Sequence, residues 1–402
     1  MRRRVVVLLY GAILVGEMSW SAVAPLLPSF AKRFSLSGSR TGLILSVASL
    51  AILAVSIPAS ALTRRIGAKR VTVASAATMT VGNVVIGLSS SYPALLAGRA
   101  VFGLGLGILW VGGTAWLHDA SGKDYAKALS MTSAIIGLGS LVGPAFAGLV
   151  GEQLGIGAPF LILAATTASV ILLLAFTSAE RRVPHHDEPR FRELLRAASG
   201  DDMVRASVTL MFVGSLLWLS TYVLVPSRLD AEGWSAADIG LAFSASSLVF
   251  AGVSWWVARR ADRWATLGVA SAATAALAAS LLVVVASGGI TATLLFLMLA
   301  GAVTGVMITI TFPVGVAGSR LIPVAVVGGL LNMAWAVSGL VGPPIAGAAA
   351  EAIGDGPTFL ALALITGVAA VWMLAARRSM IRSGPSSPSG PDALLQDLTP
   401  GQ

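Results

Sequence analysis

Two charged side chains lie well inside long apolar stretches of the sequence, which makes them the first candidates for chemistry. Glu17 lies in the run Val5–Leu27 and Arg99 in the run Pro93–Leu117. A charged residue inside a membrane costs about 2.5–3.5 kcal/mol on insertion scales, and such residues commonly mark a function. Desolvation disfavours charge on a carboxyl group, whereas a nearby guanidinium favours it. We therefore predict that Glu17 and Arg99 form a proton-coupling site whose proton occupancy changes with conformation.

Two other roles for Glu17 and Arg99 are compatible with the sequence. A static ion pair between them would hold two helices together, and Glu17 alone would bind a cationic group on a substrate. At 1.5 Å per residue, both residues lie roughly 9–14 Å from the same end of their runs. Their depths therefore allow a contact, which the sequence by itself does not decide.

The elements that carry these residues are membrane-spanning helices. Of the 402 residues, 56% are apolar and only 11% are charged, whereas a soluble domain is about a quarter charged. This composition excludes a soluble enzyme, a disordered chain and a fibre. A span needs about 20 apolar residues, and lipid offers no partners to the backbone, so the runs must be helices. We predict an all-α membrane protein with twelve transmembrane helices, over the runs Val5–Leu27, Thr41–Leu62, Val71–Ser89, Pro93–Leu117, Ala126–Val150, Pro159–Thr177, Ser207–Val225, Ala237–Ala258, Ala265–Ala286, Thr291–Ala317, Val324–Ala350 and Pro357–Ala375.

The basic residues predict the orientation of the chain. If the N-terminus is inside and the spans alternate, 22 of the 27 Lys and Arg residues fall in inner segments and four in outer segments. Because cytoplasmic loops carry an excess of Lys and Arg, both termini are expected in the cytoplasm, with the protein in the cell membrane. The net charge of +9 therefore reflects the basic residues of the predicted cytoplasmic segments. No nucleic-acid partner is expected, since the basic residues are not clustered on one solvated face.

Several other classes of protein are disfavoured. The sequence has no cysteine, and its three histidines fall in predicted cytoplasmic loops, so no metal site or cofactor is expected. It contains no His-Glu-x-x-His, Gly-x-Ser-x-Gly or phosphate-loop motif, which argues against an enzyme. No ring of charges or repeated filter suggests a channel.

The chain contains an internal repeat. Residues 140–148 resemble residues 339–347 at an offset of 199, including both Gly-Pro steps, while 27–29 match 225–227 at 198 and 61–65 match 256–260 at 195. The repeat predicts two six-helix bundles in the same orientation with a substrate site between them near the membrane midplane. The predicted division is a first bundle over 1–178, a cytoplasmic linker over 179–205, a second bundle over 206–378 and a disordered tail over 379–402.

Three motifs carry a family resemblance. The loop after the second run reads Ser60-Ala61-Leu62-Thr63-Arg64-Arg65-Ile66-Gly67-Ala68-Lys69-Arg70, the fourth run holds Arg99-x-x-x-Gly103-x-Gly105, and the fifth holds Gly139-x-x-x-Gly143-Pro144-x-x-x-Gly148. Together they resemble the major facilitator superfamily, and the fifth-run motif is similar to the signature of its drug/proton antiporters. The loop departs from the family pattern Gly-x-Leu-Ala-Asp-Arg-x-Gly-Arg-Lys, since Ser60 and Arg64 replace the glycine and the aspartate. That aspartate belongs to a charge relay in the family, so this part of the relay is in doubt.

The resemblance implies the remaining site residues. It implies a cytoplasmic gating loop at Arg64, Arg65, Gly67, Lys69 and Arg70, with Arg259 and Arg260 as the repeat of its basic pair. Helix bends are expected at Gly139, Gly143, Pro144, Gly342 and Pro343, because proline removes a helix hydrogen bond; close helix packing is the simpler explanation of the glycines. Candidate cavity residues, able to stack on a flat apolar or cationic substrate but equally suited to helix packing, are Trp20, Trp110, Trp218, Tyr222, Asn332 and Trp335.

These features predict a secondary transporter that works by alternating access. Proton-coupled efflux of a small amphipathic or cationic compound fits best, with the proton, the substrate and the lipid bilayer as partners and a monomer as the expected state. Proton-coupled uptake or facilitated diffusion of a small metabolite is the main alternative. A non-transporting receptor or scaffold on the same fold is the second.

Overall fold

The computed structural model describes residues 2–177, 200–260, 264, 266–287, 289–318 and 324–383, and this part of the chain contains helices and no strands. Its α-helices are α1 (Arg2–Ser21), α2 (Leu27–Phe34), α3 (Gly38–Ile66), α4 (Ala68–Gly87), α5 (Tyr92–Ser121), α6 (Tyr125–Leu154), α7 (Ala158–Ala175), α8 (Asp202–Ala231), α9 (Ala236–Ala258), α10 (Leu267–Ser287), α11 (Ile290–Gly318), α12 (Val324–Ile353) and α13 (Asp355–Ser383). A short 3₁₀ turn, Ala24–Leu26, joins α1 to α2. The predicted all-α architecture is confirmed.

Eleven stretches of the described helices are long and apolar enough to cross a bilayer, with α1 and α2 counted together as Arg4–Phe34. Helix α4 is more polar because Lys69 and Arg70 lie in its first turn. Its 20 residues still cover about 30 Å. The hydroxyls of Thr72 and Thr80 donate to carbonyls four residues earlier in the same helix, so these groups are paired within α4. The length of α4 allows the twelfth crossing that the sequence predicts.

The first crossing is longer than predicted. The sequence predicts an end near Leu27, whereas the helical path continues to Phe34. Pro25 and Pro28 lack the N–H that a regular helix needs, and the chain passes them through the 3₁₀ turn. The prolines therefore change the helix type locally without ending the crossing.

The crossings alternate in direction and define two faces of the molecule. We call the face that holds the start of α1 and the end of α13 the termini face, and the opposite one the far face. The predicted linker and tail lie mostly outside the described residues. Helix α8 begins at Asp202 and α13 ends at Ser383, a few residues inside the predicted linker and tail.

The two halves of the chain fold alike. In the first half α3 and α4 pack against α5, and α4 against α7; in the second half α9 and α10 pack against α11, and α10 against α13. The halves meet along two long contacts, α3 with α12 and α6 with α9. In the repeat, α9 corresponds to α3 and α12 corresponds to α6. The two contacts are therefore equivalent, as expected for two pseudo-symmetric six-helix bundles.

Glycines allow these two contacts to be close. A β-carbon added to Gly42 on α3 would lie 2.3 Å from the carbonyl oxygen of Pro343 on α12, and one added to Gly240 on α9 would lie 2.3 Å from that of Pro144 on α6. Real β-carbons do not approach that closely, so both helix pairs depend on glycine. The two contacts are related by the sequence repeat.

The prolines of α6 and α12 make backbone groups available to the other half. Pro343 cannot donate to Gly339, four residues earlier, and the Ser46 hydroxyl donates to that carbonyl oxygen at 3.0 Å. Next to Pro144, the Ala145 N–H donates to the Ser244 hydroxyl at 3.0 Å. Both helices continue through their prolines, and a role of these residues as bends stays a prediction.

Candidate functional site

Glu17 lies in the middle of the first crossing, packed against α6. A β-carbon added to Gly139 would lie 2.6 Å from the β-carbon of Glu17, so the absence of a side chain at Gly139 provides the space for this residue. Glu17 is 9% exposed, and its carboxyl group forms no hydrogen bond or ion pair with the described residues. Tyr222 of α8, in the other half, lies within electrostatic range of this carboxyl group.

Arg99 is fully buried within the first half. Its Nε donates to the carbonyl oxygen of Ile44 at 2.9 Å, and its guanidinium carbon lies 5.3 Å from the ring centre of Trp20 and 5.4 Å from that of Phe102. Both terminal nitrogens lack a hydrogen-bond partner among the described residues. The charge is thus held by aromatic faces and one carbonyl group rather than by a carboxylate.

Glu17 and Arg99 do not form an ion pair in this conformation. Glu17 packs beside Gly139, fifteen residues before the far-face end of α6, which corresponds to about 22 Å of helix. Arg99 is seven residues from the far-face start of α5, or about 10 Å. The contact that the sequence left open is absent because the two residues lie at different depths.

Aromatic side chains from both halves meet next to Glu17. Trp20 is three residues after Glu17 and therefore lies on the same side of the helix. Its ring centre is 5.2 Å from that of Trp335 on α12. On α8, Tyr222 lies 5.7 Å from Trp218 and 5.2 Å from Phe243 of α9. Four of the six predicted cavity residues are thus brought into two ring clusters at the interface between the halves.

The cavity roles of Trp110 and Asn332 stay predictions. Trp110 is half-buried against the hydrophobic core. Asn332 is exposed on α12, three residues before Trp335.

Comparison with known proteins identifies the family of this twelve-helix architecture. The family model described as "Major Facilitator Superfamily" matches residues 9–323. The chain belongs to the major facilitator superfamily. This membership agrees with the sequence resemblance.

Two curated relatives indicate the branch that the transporter resembles. The chain is 26% identical over 259 residues to "Multidrug resistance protein 2" of Bacillus subtilis (strain 168), a match that covers 62% of the chain and 64% of the relative. It is 27% identical over 262 residues to "Tetracycline resistance protein, class C" of Escherichia coli, covering 61% of the chain and 64% of the relative. The chain thus spans slightly less than two thirds of the length of these relatives.

A solved structure supports the fold. A crystal structure titled as a bacterial homologue of the human lysosomal transporter Spinster, in an inward-facing and unoccupied conformation, superposes with a TM-score of 0.79 at 17% sequence identity. The superposition covers 96% of this chain and 99% of that chain. At this identity the likeness concerns the fold alone.

The motif glycines hold the first crossing of each half against α6 or α12. A β-carbon added to Gly143 would lie 2.7 Å from the carbonyl oxygen of Met18 on α1, and one added to Gly342 would lie 3.2 Å from that of Leu216 on α8. The contacts of these glycines are therefore those of close helix packing. Because Gly139 and Gly143 fix α1 against α6, they also fix the position of Glu17.

The predicted gating loop makes contacts within its own half. Gly67 has a φ of 92°, a conformation that favours glycine, and it forms the corner between α3 and α4. The Lys69 ammonium group donates to the carbonyl oxygens of Ala175 and Thr177 at the end of α7, where a cation is favoured. Arg64, Arg65 and Arg70 are exposed.

The repeated basic pair follows the same pattern. Arg259 lies 3.7 Å over the ring of Trp255, and Arg260 lies 4.5 Å over that of Trp256. Both tryptophans belong to α9, and the two arginines directly follow its last residue. The described contacts of this pair, like those of Lys69, do not join the two halves.

The two halves are instead joined toward the far face. Hydrogen bonds between described residues cross the interface there, joining Lys32 to Asp230, Gly38 to Glu351, Ser46 to Gly339, Ala145 to Ser244, and Ala237 to Glu152. Toward the termini face the helices diverge: a β-carbon on Gly137 would meet its nearest neighbour, Ala251, only at 3.9 Å, and one on Gly252 would meet nothing within 4 Å. The far face is closed and the interface is looser toward the termini face.

The sequence reasoning missed the residues that close the far face. Lys32 counted only as one of the four basic residues in the predicted outer segments. The repeat was the available signal, because an offset of 199 aligns Glu152 with Glu351, and one of 198 aligns Ser46 with Ser244 and Lys32 with Asp230. Side chains at equivalent positions in the two interface helices are candidates for contacts between the halves.

Proposed function

We propose that the protein is a proton-coupled exporter of small amphipathic or cationic compounds, working by alternating access with Glu17 as the proton-binding group. The observation that carries this proposal is the carboxyl group itself. Glu17 is 91% buried between the halves, and no described side chain neutralises it by an ion pair or hydrogen bond. A buried carboxylate without a partner is costly, so a proton or a cationic substrate is the natural counterpart.

The surroundings of Glu17 fit a site used alternately by a proton and a cation. Burial disfavours a charged carboxyl group, and entry of water or of a cation favours it. Trp20 and Tyr222 supply aromatic faces beside the carboxyl group, and such faces attract cations. Binding of a cationic compound and binding of a proton would therefore compete at the same carboxylate.

Arg99 would act on Glu17 through Trp20. The guanidinium lies against one side of the Trp20 ring, and Trp335 of the opposite half also contacts that ring. Separation of the halves at the far face would remove Trp335 and leave Trp20 free to move. The proposal is that this movement changes the distance between Arg99 and Glu17, and with it the affinity of Glu17 for a proton.

The proposed orientation places the termini face in the cytoplasm. The structure then corresponds to a state closed toward the outside, and the solved transporter with the same fold is described as inward-facing. A proton that enters down a potential of 100 mV supplies about 2.3 kcal/mol, which supports roughly fiftyfold accumulation of an exported compound. The names of the drug-resistance relatives support the direction of transport and the amphipathic substrate.

The test is transport by the full chain in proteoliposomes under an imposed pH gradient, with a fluorescent monocationic dye as the substrate. We expect Glu17→Gln to abolish uphill transport and to make dye binding, measured by fluorescence anisotropy, weaker and independent of pH, because the neutral amide binds neither the proton nor the cation. The matched control is Ser215→Ala, because Ser215 is the equivalent of Glu17 in α8 at an offset of 198.

Three outcomes would contradict the proposal. Uphill transport by Glu17→Gln under the pH gradient would exclude the proton role. Absence of transport of cationic, neutral and anionic compounds by the wild-type chain, in either direction, would favour a receptor or scaffold. Accumulation in the direction of proton entry would favour the uptake alternative.

A further inference from the structure

The far face carries two equivalent loops, one in each half. The loop after α2 contains Ser35 with a φ of 51°, and the loop after α8 contains Gly233 with a φ of 86°. Each loop ends in a serine that caps the next helix: Ser37 accepts from the third N–H of α3, and Ser235 accepts from the third N–H of α9. The caps leave the first two N–H groups of each helix available.

A glutamate from the opposite half takes one of these free N–H groups in each case. Glu351 Oε2 of α12 accepts from the Gly38 N–H of α3 at 2.9 Å. Glu152 Oε2 of α6 accepts from the Ala237 N–H of α9 at 3.2 Å. A carboxylate at the start of a helix is stabilised by the partial positive charge of the helix terminus. The same charge–helix contact therefore occurs twice, once in each direction across the interface.

The backbone is built to bring these groups together. A β-carbon added to Gly347 would lie 2.1 Å from the carbonyl oxygen of Gly38, and one added to Gly148 would lie 2.2 Å from that of Ala236. Each of these glycines is four residues, or about one turn, before the glutamate on the same helix. Close approach of the helices and capping by the glutamates are thus parts of one arrangement.

A third contact lies between the two glutamate contacts. Lys32 Nζ and Asp230 Oδ1 are 2.6 Å apart, and the two residues occupy equivalent positions of the repeat, at an offset of 198. A contact between equivalent residues lies near the pseudo-twofold axis. Lys32 is 68% exposed, so this ion pair is expected to contribute little. Glu152 and Glu351 are exposed as well, but each contacts a fixed helix terminus instead of a second flexible side chain, which makes them the stronger candidates.

We propose that Glu152 and Glu351 are paired positioning residues that hold the far face closed, each by binding the first turn of a helix in the opposite half. Opening of the far face requires both contacts to break. Because the contacts are equivalent, each contributes a similar share to the closed state. This inference rests on the alternating-access part of the proposed function and is independent of the coupling ion and the substrate.

The test measures the width of the far face in the full-length protein in lipid nanodiscs. Ser90 and Gly289 are exposed residues of equivalent far-face loops, one in each half. Since the chain has no cysteine, spin labels on Ser90→Cys and Gly289→Cys report one distance without background. Double electron–electron resonance then gives the populations of the closed and open far face, with no substrate present.

We expect Glu152→Gln and Glu351→Gln each to lower the ratio of closed to open states about two- to fivefold, and the double variant to lower it by about the product. Glu232→Gln is the matched control, because Glu232 is exposed on the same face and lies at the end of α8, not at the start of a helix in the opposite half. Distance distributions of both single variants that match the control would overturn the proposal.

The outcomes also separate this proposal from the proposed function. A shift of the distance in the glutamate variants, together with no transport by the wild-type chain, would leave the far-face contacts in place and reject the exporter. Transport that depends on Glu17, together with unchanged distances in Glu152→Gln and Glu351→Gln, would reject the far-face contacts alone.

Discussion

The far face and the centre of the molecule use the internal repeat in opposite ways. At the far face both halves contribute the same parts: a glycine against a proline carbonyl, a serine hydroxyl at the backbone next to a proline, and a glutamate at a helix terminus. In the centre only the first half carries charge. Ser215 and Met298 stand at the repeat positions of Glu17 and Arg99, at offsets of 198 and 199.

This difference teaches which properties benefit from symmetry. Closing one end of a two-bundle molecule requires two helix pairs to approach together, so equivalent contacts of similar strength are an advantage. Proton binding requires one titratable group in one location. A second carboxylate opposite Glu17 would repel the first and raise the cost of burying either. In the two proposals, a symmetric set of contacts closes the far face and an asymmetric site binds the proton.

The largest expected effect comes from removing the asymmetry at Arg99. Arg99→Met introduces the residue type that the second half has at this position. We expect pH-driven transport to fall about a hundredfold, in the range found for groups that position proton transfer. Thermal stability should be unchanged or higher, because an apolar residue replaces a buried charge.

The control for that variant is Met298→Leu, which should leave transport intact. Fluorescence-based thermal unfolding and dye transport in proteoliposomes measure the two properties separately. Normal transport by Arg99→Met would mean that the guanidinium serves packing alone.

An intermediate effect is expected at the symmetric glycines. Gly42→Val and Gly240→Val each force side-chain atoms against a proline carbonyl oxygen, and overpacking of this kind costs about 1–3 kcal/mol. The ratio of closed to open far-face states, measured with labels at Ser90 and Gly289, should fall by about tenfold or more, to a similar degree for both variants.

Gly252→Val provides the comparison for that measurement, since Gly252 lies in the same helix as Gly240 and a β-carbon there meets nothing within 4 Å. A shift for only one of the two interface glycines would show that the halves do not share the closing function equally.

The smallest effect is expected at the serines beside the prolines. Ser46→Ala leaves the Gly339 carbonyl oxygen without its cross-half donor, and Ser244→Ala leaves the Ala145 N–H without its acceptor. An unpaired buried group costs about 1–3 kcal/mol, and we expect the lower end, or about a fivefold loss of the closed state in the same distance measurement.

Ser56→Ala serves as the reference for the serine variants, because the Ser56 hydroxyl donates to Ile52 of its own helix at 2.7 Å. If Ser56→Ala opens the far face as much as the interface variants do, the cross-half hydrogen bonds contribute nothing specific.

Much of the architecture follows from local properties of the sequence. The runs around Val5–Leu27 and Pro93–Leu117 predict helices because apolar length and backbone hydrogen bonding in lipid act along a single stretch of chain. The repeat predicts two similar halves by comparison of two such stretches. Both are confirmed by the helices and by the family match.

The site was harder to predict because it depends on depth and on contacts between distant helices. The span that carries Glu17 is longer than its apolar run, since Pro25 and Pro28 are accommodated by a 3₁₀ turn. This places Glu17 deeper than Arg99, and no ion pair forms. The contact between Trp20 and Trp335 likewise depends on two helices that are far apart in the sequence.

The sequence by itself thus determined the fold, the number of crossings and the two charges left within the membrane, because each follows from the free energy of placing a stretch of chain in lipid. Only the tertiary structure decided what those charges face and how the halves join. Glu17 contacts Gly139 and Arg99 contacts Trp20 because of the depth and rotation of their helices. The apolar composition of a helix does not determine its depth or rotation. The contacts of Glu152 and Glu351 with the helix starts were likewise hidden, because their partners are backbone N–H groups that every sequence shares.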